Sequence, residues 1–300
     1  MFKKTLVITL LVFSFLIFGL WIDAKIITSN FDYPNNGLFL EIDDSKIFYR
    51  QLGEGPNIIF LHGIGASQFI WNDVAEELKQ KYHLTLIDLP GFGRSSKNIK
   101  LDYGLDAQTN RIFETIQKLN LKNNFIVGSS MGGALALWLA KNYPETVDKV
   151  AVIGPATNPH LVPFAFYKFP QLSYLIKLFY NRLTLYLSIK TVVTNDELIT
   201  PKRLAYSLKN HLHDKNSVYT FLKATKSIAD SRLPNKLKDI YQPVEILAGK
   251  NDKMVTLKYI DELKQIIPHS EVYIHPTGGH HLMEDEPKWV ANHLDIFFKR

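Results

Sequence analysis

A serine stands at the centre of a glycine-flanked stretch that could carry out nucleophilic chemistry, Gly128-Ser129-Ser130-Met131-Gly132-Gly133. An apolar run precedes this stretch and a helix-like run follows it, a pattern that predicts a strand, a sharp turn and a helix. A serine at the apex of such a turn has a strained backbone, and only small residues fit two positions before and after it. Gly128 and Gly132 occupy those positions around Ser130, whereas Val127 lies two positions before Ser129. The pattern therefore predicts Ser130 as the nucleophile.

A serine hydroxyl becomes a useful nucleophile when a base accepts its proton and a third group orients the base. Asp252 lies in the loop after the apolar run 244–249, and His280 lies in the loop after the apolar run 271–275. If these runs are neighbouring parallel strands, their carboxyl ends meet at the edge of the sheet where ligands bind. We therefore predict His280 as the base and Asp252 as the acid that orients it.

A second glycine-containing turn could stabilise negative charge on a substrate. The sequence His62-Gly63-Ile64-Gly65 follows the apolar run 57–61, and a turn of this kind can direct a backbone N–H towards a reacting carbonyl oxygen. We predict that Ile64 and Met131, the residue after the nucleophile, donate two N–H groups to an oxyanion. Each donor in such a site is worth about 3–4 kcal/mol of the activation barrier.

Five motifs in this order resemble those of the α/β-hydrolase family, and together they cover roughly residues 36–300. They are His62-Gly63-Ile64-Gly65 with Trp71 downstream, Asp88-Leu89-Pro90-Gly91-Phe92-Gly93-Arg94-Ser95, Gly128-Ser129-Ser130-Met131-Gly132-Gly133, Gly249-Lys250-Asn251-Asp252, and Gly279-His280 followed by Asp285-Glu286-Pro287. The Ser-Met-Gly-Gly form is similar to that of bacterial lipases and esterases and of membrane-anchored monoacylglycerol lipases. The resemblance implies a serine esterase or lipase that needs no cofactor and acts on a small-molecule or lipid ester, possible substrates including glycerol monoesters.

The resemblance also bears on the choice of histidine. In this family the base histidine usually precedes an acidic residue by five positions and a proline by seven. Asp285 and Pro287 stand at those distances from His280, and His281 does not fit this spacing. The family usually has glutamate where Asp285 stands, which is a mild departure.

Other reactions of the same fold remain open at this point. Haloalkane dehalogenases and epoxide hydrolases of this fold carry an aspartate nucleophile, so the serine at position 130 argues against them. Carbon–carbon bond hydrolases and cofactor-free peroxidases retain the serine and remain alternatives. A non-catalytic ligand-binding member is a third alternative, although such a protein would be expected to have lost part of the set formed by Ser130, Asp252 and His280.

The candidate residues need a scaffold that positions them. Apolar strands alternate with helices along the chain, and this alternation predicts an α/β fold. The pattern is typical of a mainly parallel sheet covered by helices on both faces. The alternation stops near Asn158 and resumes with the strand that follows Gln242-Pro243. We predict a hydrolase core formed by residues 36–156 and 233–300, and a helical cap over the active site formed by residues 157–232.

The predicted cap holds the positive charge of the chain. Residues 157–232 contain eleven lysine and arginine residues against four aspartate and glutamate residues, while the whole chain has a net charge of +6. Aromatic residues are also frequent in it. This segment could contact an anionic membrane, or its aromatic side chains could pack inside the cap, and the sequence leaves both interpretations open. No recognition motif accompanies the charge, so no nucleic-acid partner is predicted.

Metal binding is not predicted either. The chain has no cysteine, which excludes thiolate metal sites and disulfides. The histidine pairs His211/His213 and His280/His281 have no third ligand at a suitable spacing, and a metal site needs three or four ligands.

The amino-terminal residues 5–22 contain no charged side chain. As a helix they would span about 27 Å, close to the thickness of the bilayer hydrocarbon. We predict that residues 1–25 hold an uncleaved single-pass membrane anchor, with a cleaved signal and a secreted enzyme as the alternative. Lys3 and Lys4 precede the apolar run, which predicts a cytoplasmic amino end and a catalytic domain outside the cytoplasm, in the periplasm.

Overall fold

The computed structural model describes residues 18–33, 36–162, 165–230 and 232–300. Eight strands form one sheet: β1 (Leu38–Ile42), β2 (Ser45–Leu52), β3 (Asn57–Leu61), β4 (His83–Ile87), β5 (Asn124–Ser129), β6 (Val147–Ile153), β7 (Val244–Gly249) and β8 (Glu271–His275). Their order in the sheet is β1-β2-β4-β3-β5-β6-β7-β8. β2 pairs antiparallel with β1 and β4, and the other pairs are parallel. The predicted α/β fold with a mainly parallel sheet is confirmed.

Helices connect these strands and cover both faces of the sheet. In chain order they are α1 (Asn72–Leu78), α2 (Leu105–Lys118), α3 (Met131–Asn142), α4 (Ser173–Ile176), α5 (Arg182–Lys190), α6 (Pro201–Leu212), α7 (Ser217–Ile228), α8 (Arg232–Lys236), α9 (Leu257–Ile266), α10 (Leu282–Asp285) and α11 (Pro287–Lys299). Residues 18–29 are helical as well and precede this series.

Neighbouring residues of the central strands point to opposite faces of the sheet. In β3, Ile59 and Leu61 belong to the core that includes α2 and α3, whereas Ile58 and Phe60 belong to the core that includes α1 and α11. All four side chains are fully buried. Burial without alternation is expected where helices cover both faces of a parallel sheet, and it makes the sheet a rigid support for the loops at its edge.

The helical segment, residues 157–232, lies between β6 and β7, and its described residues form helices and short turns but no strand. α6 begins at Pro201 because Thr200 caps it: the Thr200 hydroxyl accepts the N–H of Arg203 at 3.1 Å. α5 and α6 pack in a buried cluster that also contains Ala24 of the helical residues 18–29: Leu185, Ile189, Leu204, Leu208 and Leu212. The interpretation of this segment as a separate cap domain remains a prediction.

The structure contradicts the predicted single-pass anchor and the extracytoplasmic location that was inferred from it. In the part of the chain that the structure describes, no helix has both the length and the apolar character needed to span a bilayer. Residues 1–17, which hold most of the predicted span, lie outside the described residues. The helical residues 18–29 cover about 18 Å at 1.5 Å per residue, include Asp23 and Lys25, and bury Ala24 against the helical segment.

A buried carboxyl group on β7 predicts that the stability of the fold depends on pH. Both carboxyl oxygens of Glu245 are buried without a hydrogen-bond partner among the described residues, and the ring of His293 lies 3.9 Å away. Burial raises the pKa of Glu245 to about 8, and repulsion from Glu271 adds to the effect. The unfolded chain loses this proton near pH 4.5, the ordinary value for glutamate. The native state therefore binds the extra proton between about pH 4.5 and pH 8, and stability falls as the pH rises through this window.

Glu245→Gln, which cannot ionise, is expected to be more stable than the wild type above pH 8. The gain should be on the order of 3 kcal/mol and should shrink towards pH 5. Urea unfolding at both pH values measures it, with Glu77→Gln on the exposed face of α1 as the matched control. An equal effect of Glu245→Gln at both pH values would contradict the assignment.

Candidate active site

Ser130 lies in the sharp turn between β5 and α3. Its backbone has φ 53° and ψ −119°, a left-handed conformation that residues with a side chain seldom adopt. The N–H of Ser130 donates to the carbonyl oxygen of Ile153 at 3.0 Å, and the carbonyl oxygen of Ser130 accepts the N–H of Ala156 at 2.9 Å. These bonds to the end of β6 hold the strained turn in place.

The glycines on either side of Ser130 allow this turn to pack closely. A Cβ atom on Gly128 would overlap the carbonyl oxygen of Gly132, and a Cβ atom on Gly132 would overlap the carbonyl oxygen of Leu61 at the end of β3. The overlaps are with backbone atoms, which cannot rotate away. Both positions therefore require glycine.

Asp252 and His280 form a direct pair at the ends of β7 and β8. The Nδ1 atom of His280 is 2.8 Å from Oδ2 of Asp252, and both side chains are buried. The other carboxylate oxygen of Asp252 accepts the N–H groups of Met254 and Val255 at 2.7 and 2.8 Å. Because Asp252 acts here as an acceptor, we assign the proton of the neutral ring to Nδ1 of His280. The Nε2 atom then carries a lone pair that can accept a proton.

Ser130 and His280 line the same cavity, which has a volume of about 320 Å³. Among the hydrogen bonds of the described residues, none joins Oγ of Ser130 to the ring of His280. The structure thus brings Asp252 and His280 into contact and brings Ser130 to the same cavity. A direct bond between nucleophile and base is often formed only once a substrate is bound.

The loop that carries Ile64 and the first residue of α3, Met131, both adjoin Ser130. Ile64 lines the same cavity, in the loop after β3, and Met131 is the first residue of α3. Neither N–H donates to an acceptor within the described residues. A Cβ atom on Gly63 would lie 3.0 Å from Cβ of Ser130, so the loop that carries Ile64 passes directly beside the serine.

His62 fixes the orientation of this loop. Its Nε2 atom accepts the N–H of Leu89 at 2.9 Å, so its proton is on Nδ1, which donates to the carbonyl oxygen of Gly63 at 2.7 Å. Burial lowers the pKa of His62 to about 4, and the ring is neutral. The carbonyl of Gly63 and the N–H of Ile64 belong to one planar trans peptide and point in opposite directions. By holding the carbonyl, His62 also orients the N–H of Ile64.

Gly154 is a site residue that the sequence pattern did not single out. It follows β6 with φ 48°, and a Cβ atom there would lie 2.9 Å from Oδ2 of Asp252 and 3.3 Å from Nδ1 of His280. Any side chain at this position would push against the pair. The adjacent Gly154-Pro155 is a recognisable turn signal, but it does not indicate which loop the turn faces.

Hydrogen bonds connect the loop that carries His280 to the helical segment. One carboxylate oxygen of Asp285 accepts the N–H of Gly279 at 2.8 Å, and the other accepts the N–H of Thr194 at 2.8 Å. In addition, the N–H of His281 donates to the carbonyl oxygen of Val192 at 2.7 Å. Asp285, at the position where the family usually has glutamate, thus connects the two segments.

A buried ion pair makes a further connection between them. Arg203 of α6 forms a bidentate pair with Glu284 of α10, and its Nη2 atom lies 2.7 Å from Oε2 of Glu284. The same carboxylate lies 2.6 Å from Nδ1 of His281. Burial alone would raise the pKa of Glu284, but the Arg203 guanidinium outweighs it and keeps the pKa below its ordinary value. Glu284 is therefore ionised and accepts the Nδ1–H of His281.

The described residues contain no group of three or more histidine, cysteine, aspartate or glutamate side chains arranged to hold a metal ion. The groups that the structure brings to this site are the serine hydroxyl, the histidine–aspartate pair and backbone N–H groups. That set can carry out acyl transfer.

The chain is similar to several known hydrolases. Residues 56–287 match the model of a family described as the alpha/beta hydrolase fold. The chain is 26% identical to monoacylglycerol lipase ABHD6 of Bos taurus, over 83% of this chain and 77% of that protein. It is 28% identical to the pimeloyl-acyl-carrier-protein methyl ester esterase of Nitrosomonas europaea, over 79% of this chain and 93% of that protein. A meta-cleavage product hydrolase from Pseudomonas fluorescens has a similar structure, with a TM-score of 0.74 at 21% identity over 88% of this chain and 98% of that one.

Proposed function

The chain belongs to the alpha/beta hydrolase fold family, and we propose that it cleaves carboxylic esters through an acyl-enzyme formed on Ser130. The proposal rests on one observation: Ser130 and His280 line one cavity, and Nδ1 of His280 lies 2.8 Å from Asp252. Two relatives, a monoacylglycerol lipase and a methyl ester esterase, are named for ester hydrolysis and support the choice of reaction.

In the proposed first step, Oγ of Ser130 attacks the carbonyl carbon of the ester while Nε2 of His280 accepts the hydroxyl proton. The bond to the alkoxy oxygen then breaks, and His280 returns the proton to the leaving alcohol. In the second step a water molecule attacks the acyl-enzyme, His280 accepts its proton, and the bond to Oγ breaks. The carboxylic acid leaves and Ser130 recovers its proton. Asp252 holds the ring and stabilises the imidazolium that forms in each step.

The negative charge that develops on the substrate oxygen would be stabilised by the N–H groups of Ile64 and Met131. Met131 is also the first residue of α3, so the positive end of the helix dipole points towards the oxyanion. His62 holds the peptide that carries the Ile64 N–H before the substrate binds. Donors that are already oriented need no rearrangement during the reaction, which is the main source of their effect.

The cavity beside Ser130 fits the acyl part of an ester. Its volume of about 320 Å³ falls in the range of small-ligand sites. The lining side chains are predominantly apolar: Ile64, Ala156, Leu161, Val162, Val192, Phe221, Ile228, Met254 and Val255. Because transfer of each methylene out of water is favourable, we infer that a hydrocarbon chain binds here.

The acyl chain length of the substrate should control the rate. In a series of methyl esters, kcat/KM is expected to rise from acetate to medium-length chains and then level off when the cavity is full. Burial of each methylene contributes up to about 0.8 kcal/mol. This corresponds to roughly fourfold in kcat/KM if the burial stabilises the transition state. The six methylenes between acetate and octanoate set a ceiling of about 5 kcal/mol.

Val162→Phe tests whether the acyl chain of the ester binds in this cavity. Val162 is half-buried and lines the cavity, so the larger ring should move the plateau to shorter chains. Leu172→Phe, at an exposed position outside the cavity, should leave the profile unchanged. A steady fall from acetate to octanoate would contradict the acyl assignment. Failure to hydrolyse any ester in the series would contradict the ester proposal and leave the carbon–carbon hydrolase and peroxidase alternatives.

A further inference from the structure

Residues 31–33, which we call the amino-terminal segment, precede β1 and lie outside the part of the chain that matches the family. Lys209 of α6 holds this segment in place. Its Nζ atom donates to the carbonyl oxygen of Phe31 and lies 3.7 Å from the carboxylate of Asp32. The same atom lies 5.4 Å from the centre of the Tyr33 ring. One side chain of α6 therefore interacts with all three residues of the segment.

The aromatic rings of the amino-terminal segment pack against Tyr206 of α6. The ring centres of Phe31 and Tyr33 lie 5.8 and 5.3 Å from that of Tyr206, in edge-to-face arrangements. Tyr206 also contacts Phe69, in the loop after β3, with 4.5 Å between ring centres. Aromatic pairs at these distances attract each other beyond the burial of their surface. Aromatic packing thus joins the segment, α6 and the loop after β3.

Two hydrogen bonds follow the same route from the amino-terminal segment to the loop after β3. The hydroxyl of Tyr33 donates to Oδ1 of Asn210 at 2.8 Å, and Nδ2 of Asn210 donates to Oγ of Ser67 at 3.2 Å. Burial raises the pKa of Tyr33 above its ordinary value, so its hydroxyl stays protonated and can donate. Asn210 and Ser67 are buried. Loss of either partner would therefore leave a buried polar group of Asn210 without that bond, which is costly.

Ser67 directly follows the turn formed by residues 63–66, which carries the Ile64 N–H and is called here the oxyanion turn. The N–H of Ala66 donates to the carbonyl oxygen of Gly63 at 3.2 Å and closes this turn. That carbonyl and the Ile64 N–H belong to one planar peptide. His62 fixes the turn at its start through the same carbonyl. Ser67 is placed to fix it at its end, through α6.

α6 contacts both loops of the candidate active site from one face. Arg203 and Asn210 are seven residues apart on this helix, which is about two turns, so their side chains lie on the same side. Arg203 binds Glu284, just after the loop that carries His280, and Asn210 binds Ser67 beside the oxyanion turn. A shift of α6 would therefore disturb the contacts of both loops.

From these contacts we propose that Tyr33 and Asn210 are positioning residues that hold α6 against Ser67 and keep the Ile64 N–H directed at the substrate oxygen. The inference rests on the proposed function, because it requires this N–H as a donor to the oxyanion. Tyr33 and Asn210 are not among the described residues that line the cavity containing Ser130. They act through the oxyanion turn and not by contact with the ester.

Tyr33→Phe removes one hydroxyl and keeps the aromatic ring. For methyl octanoate, kcat should fall about fivefold while KM stays within about twofold, because an oxyanion donor acts mainly in the transition state. Tyr174→Phe makes the same change at an exposed position of α4 and should leave kcat unaltered. Ser67→Ala removes the acceptor at the other end and should lower kcat by a similar factor. If the residues form one relay, the double variant of Tyr33→Phe and Ser67→Ala should lose no more than about twofold beyond the more damaging single change.

Inhibition by heptyl trifluoromethyl ketone, which has the hydrocarbon chain of octanoate, reports on the oxyanion donors separately. In the expected adduct, Oγ of Ser130 adds to the carbonyl carbon, Nε2 of His280 accepts the hydroxyl proton and the carbonyl oxygen takes up the negative charge. This adduct resembles the transition state, so Ki should rise about fivefold in Tyr33→Phe, in parallel with the fall in kcat. A fluorophosphonate titration gives the number of active sites in each preparation.

A fall in kcat with an unchanged Ki and fewer titratable sites would show that Tyr33 only stabilises the fold, and it would overturn the proposal. Losses that multiply in the double variant would show that the two residues act separately and would overturn the relay. An unchanged kcat in both single variants would overturn it too, and would leave the proposed ester hydrolysis standing. If the wild type does not hydrolyse methyl octanoate or any other ester of the series, the proposed function is wrong and this inference with it.

Discussion

Ser130→Ala is expected to abolish ester hydrolysis and covalent labelling by a fluorophosphonate. The loss in kcat should be roughly 10⁶-fold, as found when the nucleophile of a serine hydrolase is removed. Alanine keeps the Cβ atom and leaves the backbone bonds to Ile153 and Ala156 in place, so the fold should be retained. Intact-mass measurement of the labelled protein, with circular dichroism to confirm folding, gives a direct readout.

Ser129→Ala is the matched control for this experiment. The Ser129 hydroxyl is buried without a partner in the described residues, so its removal breaks no hydrogen bond. Labelling and most of the activity should persist. A fluorophosphonate adduct that still forms on Ser130→Ala would show that another residue is the nucleophile.

Asp252→Asn should lower kcat by about 10⁴-fold while the protein remains folded. The asparagine carbonyl can still accept the N–H groups of Met254 and Val255, but its amide nitrogen then faces Nδ1 of His280. An amide donor favours the tautomer with its proton on Nε2, which cannot accept the proton of Ser130. Steady-state kinetics with a medium-chain methyl ester, together with a thermal melt, would measure the effect.

Asp261→Asn, at an exposed position of α9, makes the same chemical change away from the cavity and should leave kcat unaltered. If Asp252→Asn keeps full activity, Asp252 does not orient the base. The assignment of His280 would then also fail, and His281 with its partner Glu284 would become the pair to test.

Local patterns in the sequence predicted the fold. They also predicted that the candidate residues lie at one edge of the sheet. The strands that precede Ser130, Asp252 and His280 are short apolar runs with clear loops after them, and parallel strands share the edge at which those loops lie. Such an argument needs only nearby residues and the general topology of the sheet. It is therefore reliable for residues that directly follow a strand.

Contacts between segments that are distant in the sequence were beyond this kind of prediction. Arg203 and Glu284 stand 81 residues apart, and neither lies in a motif that indicates the other. The same holds for Gly154. This position requires glycine because a side chain there would contact Asp252 and His280, which lie on other loops. The uncharged amino-terminal run predicted a membrane span from its hydropathy. Hydropathy alone cannot predict that Ala24 packs in the buried cluster formed with α5 and α6.

Selection for folding stability alone would remove the hydroxyl that we propose as the nucleophile. Ser130 has φ 53°, a conformation that costs a residue with a side chain about 1–3 kcal/mol and costs glycine little. Glycine at this position would relieve the strain and keep the backbone bonds, yet it could not form an acyl-enzyme. An engineer who ranks variants by melting temperature would thus be led towards an inert scaffold, and position 130 has to be held fixed in any programme of thermal stabilisation.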